Sequence, residues 1–480
     1  MNWNAALSSE TQRAVSPELF QLLVVAALFV QSVVRGRNDT GPRWLPVAAI
    51  IGVAVAASKL GLQGTLFDAA YRVDALSQFF KVAISLGFCV TVINAQSQPT
   101  LETEKRTDYF MMLGLSAWGL MLLASAAELI TLYMALELSS YSLYALIPLR
   151  GKDKRAAEAA IKYILFGAVV TAVALYGLSF IMASQHTTYI QDLMHKSWSM
   201  AENPMAVVGL TLFLAGFFYK LALFPFHFWC PDVYEGTSNE TAAYVATVPK
   251  LGAVVVLVRL SSVLTPGMEV TNILAILAAL SMTIGNLTAL VQRDVKRLLG
   301  YSSVSHAGYV MLGLVSGTAA GLSAATFYAL VYLLMNLTCF YVLCRISSNG
   351  ENVTLTGLNG LHKRSPGLAL VLAVSAFALV GLPPTAGFAG KLFLLASAWD
   401  HGYNWLVIVA VLNTAIAIYY YLNLVRHAYT EDAGTETATA VITAPQVAVG
   451  GILAACVLLL GVLPTPIYNL ALNAGRALLP

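Results

Sequence analysis

The sequence predicts an all-α polytopic membrane protein with about 14 transmembrane helices. Of its 480 residues, 58% are hydrophobic and only 11% charged, against about a quarter charged in soluble domains. A mean hydropathy of +0.73 is more than a buried soluble core would use. The apolar runs are continuous and roughly 20 residues long, the length a helix needs to cross the hydrocarbon, rather than alternating over about 10 residues as in a barrel.

The expected segments are 17–35, 43–61, 74–95, 108–125, 128–148, 157–183, 204–228, 240–263, 270–291, 301–317, 321–345, 366–396, 402–426 and 444–470. The twelfth is interrupted by GLPPTAGFAGK. An even number of crossings puts both termini on one side. Sixteen Lys and Arg fall on one set of loops, including Arg37, Arg106, Arg150, Lys152, Arg297 and Arg364. Five fall on the other set: Arg13, Lys59, Arg72, Lys196 and Arg476. The positive-inside bias makes the first set cytoplasmic and places both termini outside. One cytoplasmic loop is acidic instead, around Asp232, Glu235 and Glu240. The first apolar run follows a polar start with Glu10 and Arg13, which is not the basic n-region of a cleaved signal.

A net charge of +3 does not point to nucleic acid. The five cysteines are scattered in or beside apolar segments without a CxxC pair, which reads as buried thiols rather than zinc or iron–sulfur ligation. No phosphate-binding glycine loop, dinucleotide fingerprint or haem-spaced histidine pair is present. The chain is therefore expected to carry no electrons and no cofactor of its own.

The chemistry concentrates in GFFYKLALFPFHFWCPDVYEG, residues 216–236. Lys220 lies at membrane depth, where an ion needs a partner or water. Pro225, Pro231 and His227 follow, and proline frees helix carbonyls that must face protein or water. Glu137 sits mid-segment in LYMALELSSY, Lys250 follows Pro249 in ATVPK, and Lys391 ends GFAGK. Four ionisable groups near mid-segment cannot all snorkel, although Lys81 or Arg259, nearer segment ends, can. The plain alternative is a structural salt bridge such as Glu137 with Lys220. The functional reading is a proton relay, because a lysine poised between a carboxylate and an apolar surround can exchange a proton near neutral pH. His306, in KRLLGYSSVSHAGY, is either a hydrogen-bonded core histidine or a relay member. Lys162 and Glu158 are four apart and form a helix-surface pair by default, with proton uptake or subunit contact as the functional option. Asp232, like Asp74, is a cap or a functional group.

GFFYK of the seventh segment echoes GFAGK of the twelfth. Five segments separate them, so a five-helix repeat would hold its copies in opposite orientations, as in many transporters.

With MALELSSYSLYAL, AIKYILFGA, YKLALFPFHFWCPDVYEG, ATVPK, RDVKRLLGYSSVSHAGY and GLPPTAGFAGK in order over roughly 74 to 425, the chain resembles the antiporter-like membrane subunits of bacterial NADH–quinone oxidoreductase, respiratory complex I. The resemblance implies helices 1–3 over 1–107, inverted five-helix repeats over 108–263 and 264–430 with helices 7 and 12 broken, and helix 14 in 431–480. It implies that Glu137, Lys220, Lys250, His306 and Lys391 form a hydrated proton-relay axis in the membrane plane. It implies a bacterial inner-membrane location and partners of the M-, L- and K-like types beside quinone-site subunits. NADH, FMN, iron–sulfur clusters and quinone would be held by those partners. Absence of a lateral helix before Pro480 and a lysine at 391, where M-type relatives carry glutamate, point to the N-type. An Mrp-type cation/proton antiporter shares the lysines and broken helices and is the alternative. One stretch departs from the family: where relatives often have a proline-rich APTPV-like run after the PD motif, this chain has GTSNETAAYVATVPK.

Overall fold

The computed structural model describes residues 9–35, 41–96, 98–150, 153–264, 269–347, 349–431 and 443–478; Arg37 and Lys152 lie outside them. Among the described residues, twelve helices are long and apolar enough to cross a membrane. Three expected segments differ. The second is a helix of only 13 residues, Leu45–Ala57, followed by a small antiparallel hairpin of Gly64–Leu66 and Tyr71–Val73 that periodicity did not announce. The twelfth is two short helices, Pro366–Val380 and Ala386–Trp399. The fourteenth also stops early: Ala444–Val462 ends before Pro464, and Thr465–Arg476 starts anew.

Helix ends follow local chemistry. Asp74 accepts from Ser77 N in a capping box, and Glu128 accepts from Ile130 N and Thr131 N, each satisfying amides that no helical carbonyl reaches. Pro366–Val380 ends at Gly381 with φ 90°, a left-handed position that glycine takes without a Cβ clash. The central helices are Asn239–Leu260, Val295–Val315 and Ala319–Ile346, whose apolar stretches are 100%, 94% and 94% buried. Lys154–Gln185 and Ala444–Val462, at 33% and 22%, present their apolar faces outward. Hydrophobicity all round a helix is what both settings require.

A backbone knot occurs twice. Leu129 N donates to Thr188 O (2.9 Å) and Ile190 N to Ala127 O (3.1 Å); Val295 N donates to Val353 O (2.9 Å) and Leu355 N to Arg293 O (2.9 Å). The acid inside each knot, Glu128 or Asp294, caps the helix that follows. Counterparts on the helices are 166 positions apart, from 128 to 294. The adjacent helix crossing repeats as well: Gly119 packs on Ser139, and Gly285 on Ser305, so closely that a Cβ would stand 2.8 and 2.7 Å from the serine nitrogens.

The two knots lie at opposite ends of the molecule. The first meets Ala70, whose carbonyl accepts from Ala127 N. The second meets Arg150, Glu235 and Asn352. The repeat is thus inverted, as the five-segment spacing predicts. The loops after segments 3, 5, 7, 9 and 11 converge at the second end, where Thr100, Arg150, Glu240, Lys296 and Asn352 gather. Gln78 donates to Ala14 O at the first end. Leu478 lines a cavity there with Gly64 and Thr65, so Ala14 and Leu478 share that end.

The GFFYK and GFAGK echo is not what aligns the copies. Lys220 is in the last turn before the break of its segment, and Lys391 in the second turn after the break of its own. Relative to Pro225 and Pro384, Lys391 corresponds to Asp232.

Candidate functional site

Pro204–Leu221 ends at Ala222, in the left-handed region at φ 63°, and the chain becomes helical again at Trp229–Gly236. The break releases carbonyls, and one has a fixed partner: Trp229 Nε1 donates to Tyr219 O at 2.9 Å. Lys220 is 4% exposed. Its Nζ donates to the Tyr163 hydroxyl (3.0 Å) and lies 5.1 to 6.0 Å from the ring centres of Tyr163, Tyr219 and Tyr144. Ring faces attract an ammonium most strongly when water is excluded. Glu137 instead accepts from Thr171 Oγ1 at 2.9 Å. It makes no direct ion pair with Lys220 and acts on it through space. In place of the alternative, a structural salt bridge between the two, there is a tyrosine cage with the carboxylate at one remove.

Lys250, on the wholly buried Asn239–Leu260, has no hydrogen-bond acceptor for its Nζ. Its ammonium lies 5.5 Å from the Tyr332 ring centre and 5.9 Å from that of Tyr234. A cavity of about 10 Å³, lined by Leu221, Lys250, Ser303, His306 and Tyr332, separates it from the next group; that is about the space one water needs. Ser303 shares hydrogen bonds with Tyr332 (2.5 Å) and Tyr234 (3.2 Å).

His306 bonds through both ring nitrogens, Nδ1 to the Tyr328 hydroxyl (2.6 Å) and Nε2 to the Tyr421 hydroxyl (3.1 Å). His306 is thus a hydrogen-bonded core histidine, saturated at both ring nitrogens. Three residues along, Tyr309 presents its ring to Lys391, whose Nζ is 4.2 Å from the ring centre. Lys391 also donates to Val380 O (2.8 Å) and Leu379 O (3.5 Å), the carbonyls at the C-terminal end of Pro366–Val380. A helix C-terminus carries partial negative charge that favours a cation there.

The secondary candidates divide. Lys162 pairs with Glu158 (2.8 Å) as the spacing predicts, and also with Asp232 (2.7 Å). Arg297 joins Asp232 (2.6 Å) to Glu235 (2.8 Å). Burial would push the Asp232 carboxyl up, but hydrogen bonds from Lys162 and Arg297 and their charges outweigh it and hold the group below its ordinary value. This network borders a cavity of about 380 Å³. His227 is buried at the break, its ring against Phe224 and Phe228.

Two buried ion pairs escape a sequence reading. Lys81 does not snorkel: it is fully buried and pairs with Glu18 at 2.6 Å, with the Tyr71 hydroxyl donating to the same acid. Arg259 grips Asp74 with two nitrogens (2.8 and 3.1 Å) and donates to Ala124 O (2.9 Å). Among the described residues, no group of three His, Cys, Asp or Glu converges as a metal site would.

Residues 126–417 match the family profile described as NADH:quinone oxidoreductase/Mrp antiporter, TM. NADH-quinone oxidoreductase subunit N 2 of Solidesulfovibrio magneticus is 65% identical over 97% of this chain and 98% of its own length. A chain of respiratory complex I from Thermus thermophilus, solved with bound aureothin, superposes with a TM-score of 0.83 at 33% identity, covering 95% of this chain and 99% of that one. A chain of the Mrp complex from Dietzia sp. superposes at 0.86 with 20% identity, covering 98% of both chains, and so shares the fold. With the profile spanning both broken segments and a relative matched along almost its whole length, this chain belongs to the NADH-quinone oxidoreductase subunit N family of antiporter-like membrane proteins.

Proposed function

We propose that the chain is the proton-translocating, antiporter-like subunit in the membrane arm of an NADH–quinone oxidoreductase, an H+-translocating enzyme whose redox centres sit on partner subunits. The observation that carries this reading is the buried succession Glu137, Lys220, Lys250, His306 and Lys391. It runs through both repeats: the Tyr163 hydroxyl holds Lys220, a water-sized cavity lies between Lys250 and His306, and the Tyr309 ring faces Lys391. Quinone reduction elsewhere would shift charge along the arm and disturb the hold of Glu137 on Lys220. Lys220 would then release its proton from the tyrosine cage, and Lys250 and His306 would pass one on to Lys391. The energies match in scale: moving one charge across 100 mV takes about 2.3 kcal/mol, and a tenfold change in proton affinity is about 1.4 kcal/mol.

The inverted knots support the division into 1–107, 108–263, 264–430 and 431–480. M-, L- and K-like subunits and quinone-site subunits would be the partners. NADH, FMN, iron–sulfur clusters and quinone would be bound by those partners. The membrane would be the bacterial inner membrane, with both termini periplasmic. The Mrp-type alternative draws on fold similarity at 20% identity and is the weaker reading beside a subunit N relative at 65%. The test is proton pumping by the assembled complex with Lys220→Ala or Glu137→Ala. Loss of pumping with assembly intact is expected; unchanged pumping overturns the assignment.

A further inference from the structure

The stretch that departs from the family, GTSNETAAYVATVPK, supplies Glu240. Glu240 is 0% exposed in the first turn of the helix that carries Lys250. The Thr100 hydroxyl donates to its Oε1 at 2.5 Å, while its Oε2 is buried without a hydrogen-bond partner. Lys296 is likewise 0% exposed, in the first turn of the helix that carries His306, with its Nζ on Thr237 O at 2.5 Å. Each lies ten residues before an axis group, 240 before 250 and 296 before 306, which is about 15 Å along a helix. Both sit beneath the end where the basic loops converge. Charged or titratable neighbours facing them are Arg150, Asp294, Tyr109 and Cys344.

A carboxylate half satisfied in a dry site is costly as a purely structural element. Its Oε2 is the position on the side chain left open to a hydrogen-bond partner. Tyr244 and Thr247 lie four and seven residues after Glu240 on one face of the helix, both fully buried, and Thr247 is one turn from Lys250. We propose that Glu240, with Lys296 as its buried counter-charge, is the proton-uptake group that loads Lys250 from the basic-loop end. The carboxylate binds a proton from that side at Oε2, and the proton passes along the Tyr244–Thr247 face to the neutral amine of Lys250, restoring the carboxylate. This rests on the proton-translocating reading above.

The deciding variant is Glu240→Gln in the assembled complex. Glutamine still accepts from Thr100, so a purely structural role predicts wild-type behaviour. The inference predicts intact assembly and redox turnover under uncoupler, with the proton-to-electron ratio lowered to that of Lys250→Ala. A wild-type ratio in E240Q, with Lys250→Ala impaired, overturns the inference and leaves the proposed function standing. Wild-type ratios in both overturn the proposed function as well. If E240Q does not assemble, E240D decides: withdrawing the carboxylate by one methylene slows proton uptake severalfold, and an unchanged uptake rate overturns the inference.

Discussion

Lys391 donates its ammonium to the carbonyl of Val380 at 2.8 Å, across the break in its own segment. The side chain proposed as the last relay member also closes the end of a helix. Lys391→Met keeps the length and removes the donor. Leaving a buried carbonyl unsatisfied costs about 1–3 kcal/mol. We expect a lowered thermal midpoint together with lost proton pumping. Lost pumping at an unchanged midpoint would separate the two roles.

Tyr163 is the hydrogen-bond partner of Lys220. Tyr163→Phe retains the ring face and deletes the hydroxyl. A hydrogen bond to a charged group contributes about 1.5–3 kcal/mol, so coupled pumping is expected to slow roughly tenfold or more, with assembly unchanged. Wild-type pumping would show that the rings alone hold the cation.

The Glu18–Lys81 pair is buried at both partners. Removing one partner of such a pair costs about 3–5 kcal/mol, whereas replacing both with apolar residues of similar volume is often neutral. Lys81→Met alone should destabilise the complex strongly, and Lys81→Met with Glu18→Leu should recover most of the loss. A double variant as unstable as the single one would contradict this account.

Asp232 links Lys162 and Arg297, and its folded pKa lies below the ordinary 3.8. Its contribution is therefore fully present above that ordinary value and is lost as pH falls through the lower folded one. Asp232 is partly open to solvent, so the contribution is modest. The difference in thermal midpoint between wild type and Asp232→Asn should be constant above about pH 5 and shrink as the pH falls below about 4. A difference that grows on acidification would reverse the assignment.

The lysines and the proline breaks were legible because membrane burial makes charge and proline rare. The partners were not. Arg259 meets Asp74 across 185 residues, and the cage of Lys220 draws on tyrosines from three helices, none of which stands out among 22 tyrosines. The repeat was legible as an odd spacing but at the wrong motif. Its real signature is backbone hydrogen bonding at Glu128 and Asp294, which many side chains permit, so sequence similarity need not mark it.

The two breaks are closed by different chemistry. At the first, the Trp229 indole holds the carbonyl of Tyr219, and an indole keeps its hydrogen at any physiological pH. At the second, the closing group is an amine that can lose its charge. The pseudo-symmetric halves are therefore mechanically unequal. Discharging Lys220 disturbs ring faces and a hydroxyl, while discharging Lys391 loosens the main chain itself. If either hinge flexes during turnover, it is the one fastened by a proton.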